Sequence, residues 1–212
     1  MSSRARVALK AVVWAACLAP LAMLAHRFHA GDLGANPIDF VTDWLGIWAL
    51  RLLLASLALT PLRILLGLSW PVTLRRLLGL FAFSYVALHL ATWVLVDHAL
   101  DWPVMLADVV KRPYITAGMA ALVLLVPLAA TSTAGMIRRL GARAWRRLHR
   151  LVCASAVLAV LHVIWLAKVG RVEPYVYAAI LAVLLGVRAV DGARRWLRRR
   201  RAGTRDLVVS AP

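Results

Sequence analysis

The sequence predicts an all-α membrane protein: a polytopic bundle of six transmembrane helices with both termini in the cytoplasm. Three observations predict it. Hydrophobic residues make up 63% of the 212 residues and charged residues only 17%, an apolar excess that a bilayer accepts and water does not. The apolar residues fall into six runs near the length that spans a hydrocarbon layer, about 20 residues. Basic residues concentrate between alternate runs, as topology requires.

The runs fall at about Ala11–Phe28, Trp44–Leu66, Leu77–Val96, Tyr114–Thr131, Leu148–Ala167 and Pro174–Val190. The first follows Arg4, Arg6 and Lys10 and so has the outline of a signal peptide. No clean small-x-small cleavage site follows it, Ala22 to Ala25 being a poor match, so a retained helix is expected. The second is interrupted by Arg51 and Pro61. Residues 1–192 form one membrane unit, and 193–212 form a basic tail. No internal repeat or soluble domain is apparent.

Orientation follows from Lys and Arg. With the N-terminus inside, twenty basic residues lie on inside segments and five outside, with Arg51 intramembrane. Seven of the nine acidic residues fall outside. This asymmetry explains a net charge of +17 as membrane orientation, and nucleic acid is not expected as a partner. Cys17 and Cys153 lie inside apolar runs without CxxC spacing, as small buried hydrophobes do.

Six histidines remain. His26, His29 and His98 fall at outer ends or in an outer loop and read as solvated interface residues. His89 and His162 lie deep in the third and fifth runs. Polar residues at that depth are costly and usually functional, and neutral imidazole is an iron ligand. Both runs point outward, and the two histidines lie about twelve and fourteen residues past their starts. At about 1.5 Å per residue their depths agree within a turn. One haem b between them would be six-coordinate, which suits electron transfer rather than oxygen binding.

His149, at the inner end of the fifth run, marks a second candidate ligand for an inner haem. It lies thirteen residues from His162, about 20 Å along the axis, but an ideal helix sets the two side chains about 140° apart. The third run supplies no histidine partner at that level; Arg75 and Arg76 stand there instead. They are candidates for contacts to propionates or to the iron side, or they serve topology alone. Arg51 either snorkels outward or pairs with a propionate of the outer haem.

These residues, with GDLGANP at 31–37, TPLR at 60–63, RRLLGL at 75–80, RPYITAG at 112–118 and TSTAGMIRRLGARAWRRLHRLV at 131–152, resemble the ferric-reductase-like transmembrane family. Within it the chain is similar to the haem-binding membrane subunits of periplasmic methionine sulfoxide reductase systems. The resemblance implies a role in the bacterial inner membrane: passing electrons to the periplasmic molybdopterin enzyme MsrP, which repairs oxidised periplasmic proteins. It implies a quinone pool or a cytosolic flavin reductase as donor. It also implies FMN, to which no residue can be assigned. Related NADPH oxidases carry two histidines on the third helix, where this chain keeps one; the departure puts a second haem in doubt.

Length adds an independent constraint. No GxGxxG and no room for a nicotinamide or flavin domain follow the sixth run. No ligand cluster for a catalytic metal appears in the outer loops. The chain therefore reads as an electron-transfer subunit rather than a complete enzyme, with donor and acceptor as separate molecules. The alternatives are a cytochrome serving another acceptor such as ferric iron, and a haem-free transporter or scaffold with histidines along a proton path.

Overall fold

A computed structural model describes residues 3–209 apart from 69 and 169. Among the described residues all regular structure is helical. The helices are α1 (Ser3–His29), α2 (Pro37–Leu66), α3 (Arg75–Ala91), α4 (Trp102–Lys111), α5 (Pro113–Ala130), α6 (Ala134–Leu148), α7 (Leu151–Leu166) and α8 (Glu173–Val209). A 3₁₀ turn at Trp70–Leu74 leads into α3, and α3 runs on into a π-helical stretch at Thr92–Asp97.

Among the described residues five helices are long and apolar enough to cross a membrane: α1, α2, α3 with its flanking turns, α5 and α8. A sixth span arises where α6 and α7 are taken together across a 45° bend. The sequence predicts one continuous fifth span, but α7 alone has 16 residues. At about 1.5 Å each it falls short of a hydrocarbon layer of about 30 Å. The break falls at His149 and Arg150, where a run of arginines meets the first apolar turn of α7.

Local chemistry sets the helix ends. Asn36 accepts the backbone N–H of Asp39, Pro37 opens α2, and Gly67 closes it with φ of 68°. Asp101 caps α4 through the N–H of Val104, and Thr133 caps α6 through that of Met136. The helices α4 and α6 stand where the sequence suggests only loops. Both are amphipathic and too short to span, so a search for long apolar runs passes over them. In α6, Gly141 takes φ 73° and ψ 151° and kinks the helix, a conformation a side chain resists.

The interior is built from two close helix pairs, α2 with α3 and α5 with α7. Each pair is fastened by a serine whose hydroxyl donates across the interface. Ser56 on α2 donates to the carbonyl of Arg75 (3.0 Å), and Ser155 on α7 to that of Ala121 on α5 (2.9 Å). Ser155 is fully buried. With lipid on the outside, small residues and such bonds hold helices together more than hydrophobicity does. Helix α2 lies centrally and also meets α7 and α8. Helix α1 sits at the periphery, joined by Tyr85 donating to Cys17 O (2.7 Å) and Trp44 donating to Pro20 O (3.0 Å).

The basic tail does not break from the sixth span; helix continues to Val209. Residues 210–212 of that tail lie outside the described residues.

Candidate haem-binding site

His89 on α3 and His162 on α7 meet inside the bundle. Their ring centroids are 6.3 Å apart and their planes cross at 81°. Each ring is anchored the same way. The Nδ1 of His89 lies 2.9 Å from the carbonyl of Thr42 on α2, and the Nδ1 of His162 lies 2.6 Å from that of Tyr114 on α5. A carbonyl only accepts, so each Nδ1 carries the proton and each Nε2 keeps its lone pair. This arrangement fixes the tautomer and raises the basicity of a metal-binding imidazole.

The separation is a test of fit. Imidazole nitrogens sit about 2 Å from a metal, and a nitrogen lies about 1.1 Å from its ring centre. Two imidazoles on opposite faces of one metal therefore have centroids about 6 Å apart. The observed 6.3 Å matches, and the donor set fits a haem iron held by two histidines.

His149, at the α6–α7 bend, does not join this pair. Its ring stacks on Trp145 at 3.8 Å, and its Nδ1 lies 3.1 Å from the Trp145 carbonyl. Its Nε2 is buried without a partner among the described residues. A buried polar atom of this kind needs an explanation. Arg75 reaches Thr60 on α2 (3.5 Å), whereas Arg76 is exposed.

Arg51 extends toward α8. Its Nε donates to the Tyr177 hydroxyl (2.8 Å), its Nη2 lies 3.3 Å from Glu173 Oε1, and Tyr177 donates to the same carboxylate (3.0 Å). Its guanidinium also lies 5.0 Å from the Trp48 ring centre. The intramembrane arginine thus has a carboxylate and a hydroxyl as partners.

Two sites were missed by sequence reasoning. Arg188, counted there only toward topology, donates to the Leu57 carbonyl at 2.6 Å, one turn from the Thr60 that Arg75 reaches. Its Nε is buried and unpartnered among the described residues. A charge late in the sixth apolar run was the available signal. His98 is half-buried rather than solvated: it lies between Asp97 (3.4 Å) and Asp108 (3.3 Å) and against the Trp93 ring at 4.5 Å. Residues 97 and 108 are brought together only by the turn between the π-helical stretch and α4, which no spacing reveals.

The ferric reductase like transmembrane component model matches residues 45–160, which include His89 and His149. The chain is 55% identical over 183 residues to the protein-methionine-sulfoxide reductase heme-binding subunit MsrQ of Rhodospirillum rubrum, covering 86% of this chain and 88% of that one. The chain belongs to the MsrQ family. Its likeness to the MsrQ subunits of Ralstonia nicotianae and Caulobacter vibrioides is 49% in each case, over 85% and 86% of this chain and 84% and 87% of theirs. Membership of a transmembrane family agrees with five to six apolar spans.

Proposed function

We propose that this chain is a haem b subunit that carries electrons across the bacterial inner membrane to a periplasmic molybdopterin methionine sulfoxide reductase, MsrP. The observation that carries this reading is the facing pair His89 and His162, spaced for one metal and each tied at Nδ1 to a backbone carbonyl. Haem b supplies a one-electron couple. His89 and His162 would hold the haem iron through two imidazoles, a donor set that favours electron transfer over oxygen chemistry. The carbonyls of Thr42 and Tyr114 hold the rings at a fixed height and tautomer, which limits reorganisation.

An inner haem site is the second part of the reading. His149 offers a buried, unpartnered Nε2. Arg75 and Arg188, reaching neighbouring turns of α2 without a carboxylate partner among the described residues, would hold anionic propionates. Arg76 is left to topology by its exposure, and Arg51 is tied to Glu173, whose removal would free it for an outer propionate. With both termini cytoplasmic, His149 lies near the inner surface, where a quinone or a cytosolic flavin reductase would deliver electrons. His89 and His162 lie near the periplasm, where an acceptor docks.

A reduced-minus-oxidised spectrum of the purified protein tests the cofactor: a b-type band is expected, and its absence rules the reading out. Deletion of the gene tests the acceptor. Loss of repair of periplasmic methionine sulfoxide is expected, and undiminished repair in a strain without a second repair route would exclude MsrP as the acceptor.

A further inference from the structure

Two helical glycines lie against the two imidazoles. A Cβ on Gly46 of α2 would stand 3.1 Å from both Nδ1 and Cε1 of His89. A Cβ on Gly118 of α5 would stand 2.9 Å from Nδ1 and 3.2 Å from Cε1 of His162. Neither glycine takes a left-handed φ, so no turn requires it, and glycine inside a helix costs about 1 kcal/mol relative to alanine. Gly135, Gly186 and Gly192 meet nothing within 4 Å, and Gly79 makes an ordinary contact.

The two glycines are placed alike. Gly46 follows Thr42 by four residues and Gly118 follows Tyr114 by four, and those are the residues whose carbonyls hold Nδ1. Residues four apart share a helix face. Each imidazole therefore lies over a patch made of one carbonyl oxygen and one glycine Cα. The carbonyl fixes where Nδ1 points; the bare glycine lets the ring lie against the helix backbone. The two patches belong to different helices, and the rings cross at 81°.

We propose that Gly46 and Gly118 are positioning residues that set the rotation of the His89 and His162 rings, holding the two planes near perpendicular. The proposal rests on the reading of these histidines as haem ligands. Near-perpendicular axial imidazoles leave the two π-type d orbitals of ferric iron nearly degenerate, which gives a highly anisotropic low-spin EPR signal. Parallel planes split those orbitals and give a rhombic signal. A methyl at Gly118 would stand too close to Nδ1 for the ring to keep its place, and one at Gly46 would press the ring by a few tenths of an ångström, so each ring is pushed from its seat beside the carbonyl.

The test uses the full-length, haem-loaded chain in a His149→Ala background, so that one pair contributes. The variants are Gly118→Ala, Gly46→Ala and the control Gly186→Ala. Expected are a low-field EPR feature in the parent that moves to lower g in Gly118→Ala and Gly46→Ala, a change in midpoint potential in both, and neither change in Gly186→Ala. Should Gly118→Ala retain no haem, Gly46→Ala carries the measurement, since 3.1 Å is the milder collision. Parent-like line shape and potential in both glycine variants overturn the proposal, as do equal shifts in all three. A parent signal that survives His89→Ala and His162→Ala instead marks failure of the ligand reading beneath it.

Discussion

Replacing His162 by alanine is the most direct probe of the paired imidazoles. The substitution deletes the Nε2 proposed as a haem ligand and the 2.6 Å bond from Nδ1 to the Tyr114 carbonyl. Losing only the outer hydrogen bond of a ligating histidine costs about 10–100-fold in metal affinity. Losing the imidazole itself must cost more than about 100-fold, or upwards of about 2.7 kcal/mol. The haem-to-chain ratio, measured by pyridine haemochrome against amino-acid analysis, should fall by one relative to the parent. The vacated space is bounded by Gly118, which presents no side chain, so added imidazole should enter and restore the low-spin spectrum in part. An unchanged ratio together with an unchanged low-spin spectrum would refute the pairing of His89 with His162.

Other outcomes follow from the same geometry. His149→Ala should leave the signal of the outer pair intact and remove a second haem; an unchanged haem ratio shows a single site. Ser155→Ala removes a buried interhelical bond (2.9 Å to the Ala121 carbonyl) and should destabilise the bundle by about 0.6 kcal/mol, at most about 1.7, read from unfolding in mixed detergent; a loss several times larger would mean that the α5–α7 pairing depends on this bond. Arg51 and Glu173 lie 3.3 Å apart, so a double-mutant cycle should give a favourable coupling, and a value near zero would show the pair to be screened by water as exposed surface pairs are. A C-terminal fluorescent-protein fusion should be bright and an alkaline phosphatase fusion inactive; the reverse pattern would invert the topology.

How much of this site was legible depended on which forces act along the chain and which act across it. The two apolar runs bearing His89 and His162 are local in sequence, and equal depth follows from direction and rise alone. The distance between the rings does not, because it depends on how α3 and α7 are brought together across α2 and α5. The carbonyls of Thr42 and Tyr114 left no trace, since every residue carries a carbonyl. Gly46 and Gly118 were visible only as two glycines in apolar helices, without a sign of what lay opposite. The break at His149 was hidden because the hydropathy of residues 148–167 is continuous, while the bend reflects where the preceding arginines must stay hydrated.

The sequence by itself determined the all-helical, multi-span class, because solvation in a bilayer acts on each residue in turn; it drew six apolar runs and singled out His89, His149 and His162 as candidates. Only the tertiary structure decided the rest. It brought His89 and His162 to 6.3 Å with crossed planes, engaged Arg51 with α8 and left Arg188 reaching into α2. These are properties of close helix packing, where a hydrogen bond or a missing methyl fixes an orientation that no single segment encodes.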